Sequence, residues 1–341
     1  MSVILNVRHS GEGRNPSKQA ILLGISDRRD RAIHGLGWML AFDSMTKNGL
    51  ARAMVESLLT IERLSAATAG PAPKPILHDV SLDVHEGEVH GLVGLSGAGK
   101  SMIAKAVLGV LPRAIVLTGG SIRFRTVELA GLMPEQHRAI THREIALIPQ
   151  DPLSALNPSR RIEAQMTDVM RLRMGLSKTA AHVKALALLE EVQIREPEAV
   201  LRRYPHELSG GMRQRVLIAT AFASEPKLIV ADEPTTALDV TVQKQILKLI
   251  HDLRRRHGTA ILFVTHDLGV VAKICDRVSV MHQGAIVEQG TSASLFSSPR
   301  HPFTRALFAA TPRHDRPATE LKPVPADVLA AIPVPIREAA E

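Results

Sequence analysis

The sequence predicts an α/β protein built on a parallel sheet with helices on both faces. Three observations predict it. Apolar runs of strand length recur at "VHGLVGL" (89–95), within "PKLIVADEP" (226–234) and within "TAILFVTHD" (259–267). Between them lie segments of helical pattern, "KSMIAKAVLGVL" (100–111) and "TVQKQILKLIHDLRRRHG" (241–258). The runs are continuously apolar rather than alternating, as expected of strands covered on both faces.

Residues 1–53 do not read as a domain. "RHSGEGRNPSKQ" (8–19) is polar, Gly-rich and without period, so the segment is expected to be disordered. Its "HSGEGRNP" is similar to the translated product of repeated intergenic elements of bacteria. The native chain is therefore expected to begin at Met54, where "MVESLLTIERLSA" takes up the alternation of a strand. Next, "ILHDVSLDVHEGE" (76–88) reads as two strands of an antiparallel piece, joined by a turn at Glu86-Gly87. Residues 155–200 are mostly helical, with helical apolar spacing in "AAHVKALALLEEV" (180–192). The helix from Thr241 stops at Gly258, a natural C-cap. "RVSVMHQGAIVEQG" (277–290) reads as a hairpin turning at Gln283-Gly284, and the Pro/Ala-rich tail from Pro312 is expected to be loose.

Composition narrows the function classes. At 341 residues and 45% hydrophobic, the chain can bury a large core, but with aromatics at 3% that core is built from Leu, Ile, Val and Ala. No run approaches the roughly 20 apolar residues that span a bilayer. The single cysteine, Cys275, excludes an internal disulfide and a Cys-rich metal site. The start has no secretory pattern. Residues 1–53 hold eight basic and four acidic side chains, half of the net +8. The remaining excess is mild, and with one Tyr and one Trp no nucleic-acid partner is expected.

Gly94-Leu95-Ser96-Gly97-Ala98-Gly99-Lys100-Ser101 satisfies G-x-x-x-x-G-K-[ST] between a strand and a helix. Its glycines let backbone N–H groups approach a polyphosphate, and the helix N-terminus adds partial positive charge. Lys100 would reach the β- and γ-phosphates, and Ser101 would offer a hydroxyl to Mg²⁺. "KLIVADEP" then places Asp232 and Glu233 at the end of a buried strand, where ligands sit in open α/β sheets. Asp232 would hold Mg²⁺ and Glu233 would act as general base on water. Alone, this pair is as compatible with an acidic helix cap; beside the phosphate loop, catalysis is the stronger reading.

Gln150, leaving the run "IALIP", could reach Mg²⁺ or the water, or be a plain turn residue between prolines. His266, ending a strand beside that of Asp232, could contact the γ-phosphate, although a lone His at a strand end is more often a simple hydrogen-bonding group. "YPHELSGGMRQRV" (204–216) pairs a Ser209-Gly210-Gly211 turn with two arginines at a helix start. That is a second anion cradle, or an ordinary N-cap serine. Two cradles so far apart are most simply used on two nucleotides, each closed by a partner subunit.

Taken together, "GLSGAGKS", "IPQD", "LSGGMRQRV", "LIVADEPTTALD" and "VTHD", in this order and spacing, resemble the ATPase domain of ABC transporters over about residues 55–312. The resemblance implies a P-loop NTPase with a RecA-like parallel core, an antiparallel β subdomain and a helical subdomain at about 152–222, all within 54–294. It implies ATP and Mg²⁺ as ligands and a second ATPase subunit, homo- or heterodimeric. Asp239 then lies in the loop that communicates across that dimer, and the helical subdomain receives a membrane subunit. Four stretches are similar to the ATP-binding subunits of peptide/nickel importers: "QDPLSALNP" (150–158), "YPHELSGGMRQRV", "DLGVVAKICDRVSVM" (267–281) and "LFSSPRHPFTRALFAATP" (295–312). In the last, Phe303 stands where Tyr is common, and 295–341 would be that group's C-terminal segment. This implies two permease subunits, an indirect solute-binding protein, and a peripheral place on the cytoplasmic face of the bacterial inner membrane. A di- or oligopeptide is the leading solute.

Two features depart from the pattern. Residues 65–78 lack the aromatic that stacks on adenine, with His78 the only ring nearby, and no cysteine follows Cys275 to build a C-terminal metal cluster. The alternative function is a non-transport ABC ATPase of a cytoplasmic enzyme complex, of phosphonate-cleavage type.

Overall fold

The structure, a computed structural model, describes residues 57–236 and 238–310. The expectations for residues 1–53 and for the tail from Pro312 lie outside the described residues.

Two sheets organise these residues. In the first, β1 (Ser57–Thr68) pairs antiparallel with β2 (Pro75–His85) and with β4 (Ile115–Phe124), and β5 (Val127–Glu128) extends β4. The second sheet has the order β10-β9-β3-β8-β7-β6. In it β3 (Val89–Gly94), β6 (Ile145–Ile148), β7 (Leu228–Asp232), β8 (Ala260–Thr265) and β9 (Arg277–His282) run parallel. The last strand, β10 (Ala285–Thr291), returns antiparallel on β9. Its turn falls at Gln283 and Gly284, with φ of 43° and 83°, the two positive values that a tight two-residue hairpin of right-handed twist requires. All residues of β3 and β8 are buried, which accounts for their unbroken apolar pattern.

The segment 76–88 corrects one expectation. It holds a single strand, not two, and the turn at Glu86-Gly87 leads into β3 of the other sheet. The reason lies in burial. Residues of β2 alternate between buried and partly exposed, so it needs one covering face and pairs with β1, whereas β3 is covered on both.

The helices are α1 (Lys100–Leu108), α2 (Pro134–Glu144), α3 (Pro152–Ala155), α4 (Ile162–Met174), α5 (Lys178–Glu191), α6 (Pro197–Arg202), α7 (Gly210–Phe222), α8 (Val240–His257), α9 (Leu268–Ile274), α10 (Ser292–Ser297) and α11 (Pro302–Ala309). Gly109 (φ 67°) ends α1 and Gly258 (φ 63°) ends α8, both left-handed caps. Between β6 and β7 the chain is helical, α3 to α7. One buried cluster joins α4 to α8 with residues of β6, β7 and β8. A second packs the antiparallel sheet and α1 on the other face.

The two sheets meet at a polar knot where β2 hands over to β3. Arg277 donates to Asp83 Oδ2 at 2.7 Å and lies 3.7 Å from Glu88 Oε1. Glu88 Oε2 accepts from the His85 N–H at 2.7 Å, and its other oxygen lies 3.4 Å from His90 Nδ1. His90 in turn meets Ser279 Oγ through Nε2 at 2.7 Å. Burial works to raise both carboxyls. For Asp83 the Arg277 guanidinium outweighs it, and for Glu88 the His90 ring and the His85 amide do, so both sit below the ordinary carboxylate range.

A folded-state value below the unfolded one makes the ionised form part of the native stability. That contribution is complete above about pH 5 and is lost as pH falls through the ordinary carboxylate range and below it. Glu88→Gln is therefore expected to lower stability by about 3 kcal/mol at pH 7, the low end for breaking a buried ion pair. It should also flatten the pH dependence of the unfolding midpoint between about pH 5 and pH 3. Urea unfolding of both chains across that range is the measurement.

Candidate functional site

The phosphate loop begins where β3 ends. A Cβ on Gly94 would lie 2.2 Å from the Met281 carbonyl oxygen of β9, so the chain can turn here only without a side chain. Gly97 and Gly99 take φ of 81° and 101°, values that favour glycine. Gly99 is the N-cap of α1 and supplies no side-chain acceptor, so the Lys100 and Ser101 N–H groups at the start of α1 can turn towards the loop, while the Met102 N–H donates to the Gly99 carbonyl at 3.0 Å. Lys100, 5% exposed, curls back and donates to the Gly94 and Leu95 carbonyls at 2.9 Å each. Burial lowers its pKa, with Glu233 and Asp232 pulling the other way. Leu95, Ser96 and Ala98 complete the loop, and Ala98 accepts the Gly284 N–H at 3.0 Å, fixing it to the β9–β10 turn.

The acidic end of β7 reaches the same place. Ser101 Oγ donates to Asp232 Oδ1 at 3.0 Å. Asp232 is pushed up, by burial first and by Glu233 beside it, with the Ser101 hydrogen bond opposing. Glu233 leaves the strand at φ 48° and is pinned there by its N–H on the Val264 carbonyl at 2.8 Å. Such a backbone is costly for a residue with a side chain, and here it aims the carboxylate into the site. That carboxylate accepts from Gln150 Nε2 at 3.1 Å and Thr236 Oγ1 at 3.0 Å, and faces His266 Nδ1 at 3.1 Å. Burial works to raise Glu233, but the His266 and Thr236 hydrogen bonds and the charges of His266 and Lys100 prevail, holding it below the ordinary carboxylate range. The result is an ionised carboxylate with two donors on Oε2 and His266 at Oε1.

Thus the phosphate loop, Asp232, Glu233, Gln150 and His266 converge at the C-terminal edge of the parallel sheet. Ser209, Gly210, Gly211 and Asp239 do not join them: among the described residues no hydrogen bond links these four to residues 94–101. Ser209 Oγ accepts the Met212 N–H at 3.3 Å and caps α7. Asp239 caps α8 by accepting from Thr241 and Val242. Ser209 and Gly210 are exposed.

The two arginines of "GMRQR" correct the reading of an arginine-assisted cradle. Arg213 donates to the Pro205 carbonyl at 2.6 Å. Arg215 donates to the Val192 carbonyl at 2.6 Å and to Gln245 at 3.0 Å. Val192 is the C-cap of α5, where a carbonyl is left without a helical partner, and Pro205 O also accepts the Leu208 N–H at 3.2 Å; both guanidiniums are engaged by backbone carbonyls.

Residues 77–236 match the family described as ABC transporter, and residues 287–333 match the oligopeptide/dipeptide transporter C-terminal region. The probable D,D-dipeptide transport ATP-binding protein DdpD of Escherichia coli (strain K12) is 44% identical over 277 residues, covering 81% of this chain and 84% of that protein. The chain belongs to the ABC transporter ATP-binding family. The peptidoglycan transport ATP-binding protein YejF of Agrobacterium fabrum is 47% identical over 79% of this chain, which corresponds to 50% of its own length. A dimeric structure of MJ0796, a bacterial ABC transporter cassette, matches with a TM-score of 0.61 at 25% identity, over 69% of this chain and 98% of that one. This ABC ATPase therefore binds and hydrolyses ATP.

Sequence reasoning missed three polar residues that brace the site. Gln214, 1% exposed, donates to the Pro234 carbonyl at 2.7 Å and so ties α7 to the turn after Glu233. Its spacing from the buried Leu217, Ile218 and Ala221 places it on the inward stripe of α7, a signal that was there to find. Thr236 was legible as the residue one turn beyond Glu233. Gln243, bridging to Asp267 Oδ2 at 3.1 Å, carried no comparable mark.

Gly94→Ala is expected to cost about 1–3 kcal/mol by overpacking and to weaken ATP binding by displacing the loop. Urea unfolding together with titration of a fluorescent ATP analogue checks both.

Proposed function

We propose that this chain is the energy-coupling ATPase subunit of a peptide importer and forms one half of a pair of cassettes. One observation carries the reading: the buried Lys100, the Ser101–Asp232 bond and the ionised Glu233 meet at one edge of the sheet. The printed functions of the relatives, D,D-dipeptide and peptidoglycan transport, and the C-terminal peptide-transporter region favour a peptide solute. They do not favour the enzyme-complex alternative.

The residues fit a Mg²⁺·ATP substrate. Ser101 Oγ, Asp232 and the amide oxygen of Gln150 are hard oxygen donors of the kind Mg²⁺ takes, and Asp232, raised by burial beside Glu233, gains from a cation. When bound, that cation neutralises charge on the phosphoryl oxygens. The loop N–H groups from Gly94 to Ser101 and the Lys100 ammonium hold the β- and γ-phosphates. Glu233 accepts the proton of the attacking water. His266, facing Glu233 from an exposed position, orients it and reaches the γ-phosphate, and Gln150 approaches from the other side.

Ser209, Gly210 and Gly211 act on the nucleotide of a second ATPase subunit, with Asp239 in the loop beside the shared interface. Gly210 supports this. A Cβ there would meet nothing within 4 Å, and its φ is not positive, so nothing among the described residues demands glycine. A second molecule passing close over the turn would. No helix among the described residues is long and apolar enough to cross a membrane. The solute path accordingly belongs to two permease subunits, served by a solute-binding protein, with this chain peripheral on the cytoplasmic face of the inner membrane. No nucleic acid is involved.

Two outcomes test the assignment. Glu233→Gln should retain ATP binding while turnover falls by about 10²–10⁴-fold, the usual share of a general base. A steady-state assay of the assembled transporter reads it, and an unchanged rate would remove Glu233 from the chemistry. Gly210→Ala should leave the chain as stable or slightly more so, by up to about 1 kcal/mol from helix propensity, yet lower turnover. Thermal unfolding and the same assay separate the two effects.

A further inference from the structure

At the other edge of the parallel sheet, α2 and the last turn of α4 border an open cavity of about 440 Å³. Arg138, Ala139, His142, Arg143, Leu172 and Arg173 line it, and no acidic side chain does. Three guanidiniums and an imidazole therefore face one space. Several other arginines of the chain meet carboxylates, as Arg125 meets Glu144, Arg254 meets Asp276 and Arg277 meets Asp83. Among the described residues, Arg138, Arg143 and Arg173 have no such partner. Arg138 uses its Nε on the Pro134 carbonyl, and Arg173 uses one nitrogen on Ile145 O and Ser224 Oγ. The remaining donors are free to point into the cavity. Burial, then the charges of Arg173 and Arg138, hold the His142 imidazole below its usual range.

Clustered like charges repel, and a chain that keeps three together without a counter-charge gains from an anion that bridges them. Guanidinium forks suit phosphate oxygens, which can accept two parallel N–H donors at once. Leu172, 85% exposed beside the arginines, offers an apolar rim. We propose that this cavity is a second, non-catalytic anion site that takes a phosphate-bearing group, with Leu172 against whatever carries that phosphate. It is separate from the ATP site. Arg173 holds the carbonyl of Ile145, the first residue of β6, while Gln150 lies just beyond the last, so the two sites sit at opposite ends of one strand.

The phosphate could belong to a soluble ester or to an anionic phospholipid headgroup, and two arms distinguish them. The full chain, saturated with ADP so that the phosphate loop is occupied, is titrated with inorganic pyrophosphate by calorimetry. The same protein is sedimented with vesicles of phosphatidylglycerol in phosphatidylcholine, and with phosphatidylcholine alone. Binding is expected in at least one arm. The double variant R138Q/R143Q should lose at least about tenfold of it, the loss expected on removing charge-assisted hydrogen bonds. R138K/R143K should recover part, and ADP affinity should stay unchanged in both variants. Pyrophosphate binding alone assigns a soluble ligand, and phosphatidylglycerol-dependent sedimentation alone assigns a headgroup. Absence of binding in both arms, or binding that survives R138Q/R143Q, overturns the proposal.

Discussion

The hydrogen bond from Ser101 Oγ to Asp232 Oδ1 closes the site across 131 residues of chain. It exists because β3 and β7 flank β8 in one parallel sheet, so their C-terminal ends open onto the same edge. Everything around it follows from that register. The loop after β3 must turn at Gly94 under the carbonyl of Met281. The residue after Asp232 must leave the strand, and Glu233 does so at φ 48° with its N–H held by β8. Burial then separates the duties of two adjacent acids. Asp232 is raised by desolvation, a condition relieved by a cation, while Glu233 is kept ionised by His266 and Thr236. Side by side, one carboxylate suits a metal and the other suits a proton.

Much of this was legible in the sequence, for physical reasons. Strands covered on both faces leave unbroken apolar runs, which exposed β3, β7 and β8. Glycine at fixed spacing before Lys100 marked a backbone that must approach an anion. Gly258 and the Gln283-Gly284 pair marked a helix end and a hairpin through their need for positive φ. What failed was local ambiguity. The stretch 76–88 has turn chemistry at Glu86-Gly87 but no mark of which sheet each side joins, because pairing partners are set by residues far away in the chain. Arg213 and Arg215 carry the right charge for a phosphate, and only the tertiary structure shows them spent on the Pro205 and Val192 carbonyls. Gln214 was legible by helical spacing and overlooked among those charges.

The residues from the phosphate loop to His266 converge within the chain. The Ser209–Gly211 turn lies apart from them: it caps α7, with Ser209 and Gly210 exposed and no hydrogen bond to the loop among the described residues. Gln214, buried, joins the helix that carries the Ser-Gly-Gly turn to the backbone beside Glu233 at 2.7 Å.

The central claim is that one chain of 37.0 kDa cannot turn over ATP unaided. ATP turnover per chain, measured together with particle mass by light scattering as concentration is raised and as partner subunits are added, tests it directly. The account predicts negligible turnover at the mass of one chain and a rise in step with the appearance of particles containing two cassettes. Full turnover from particles of single-chain mass would contradict it.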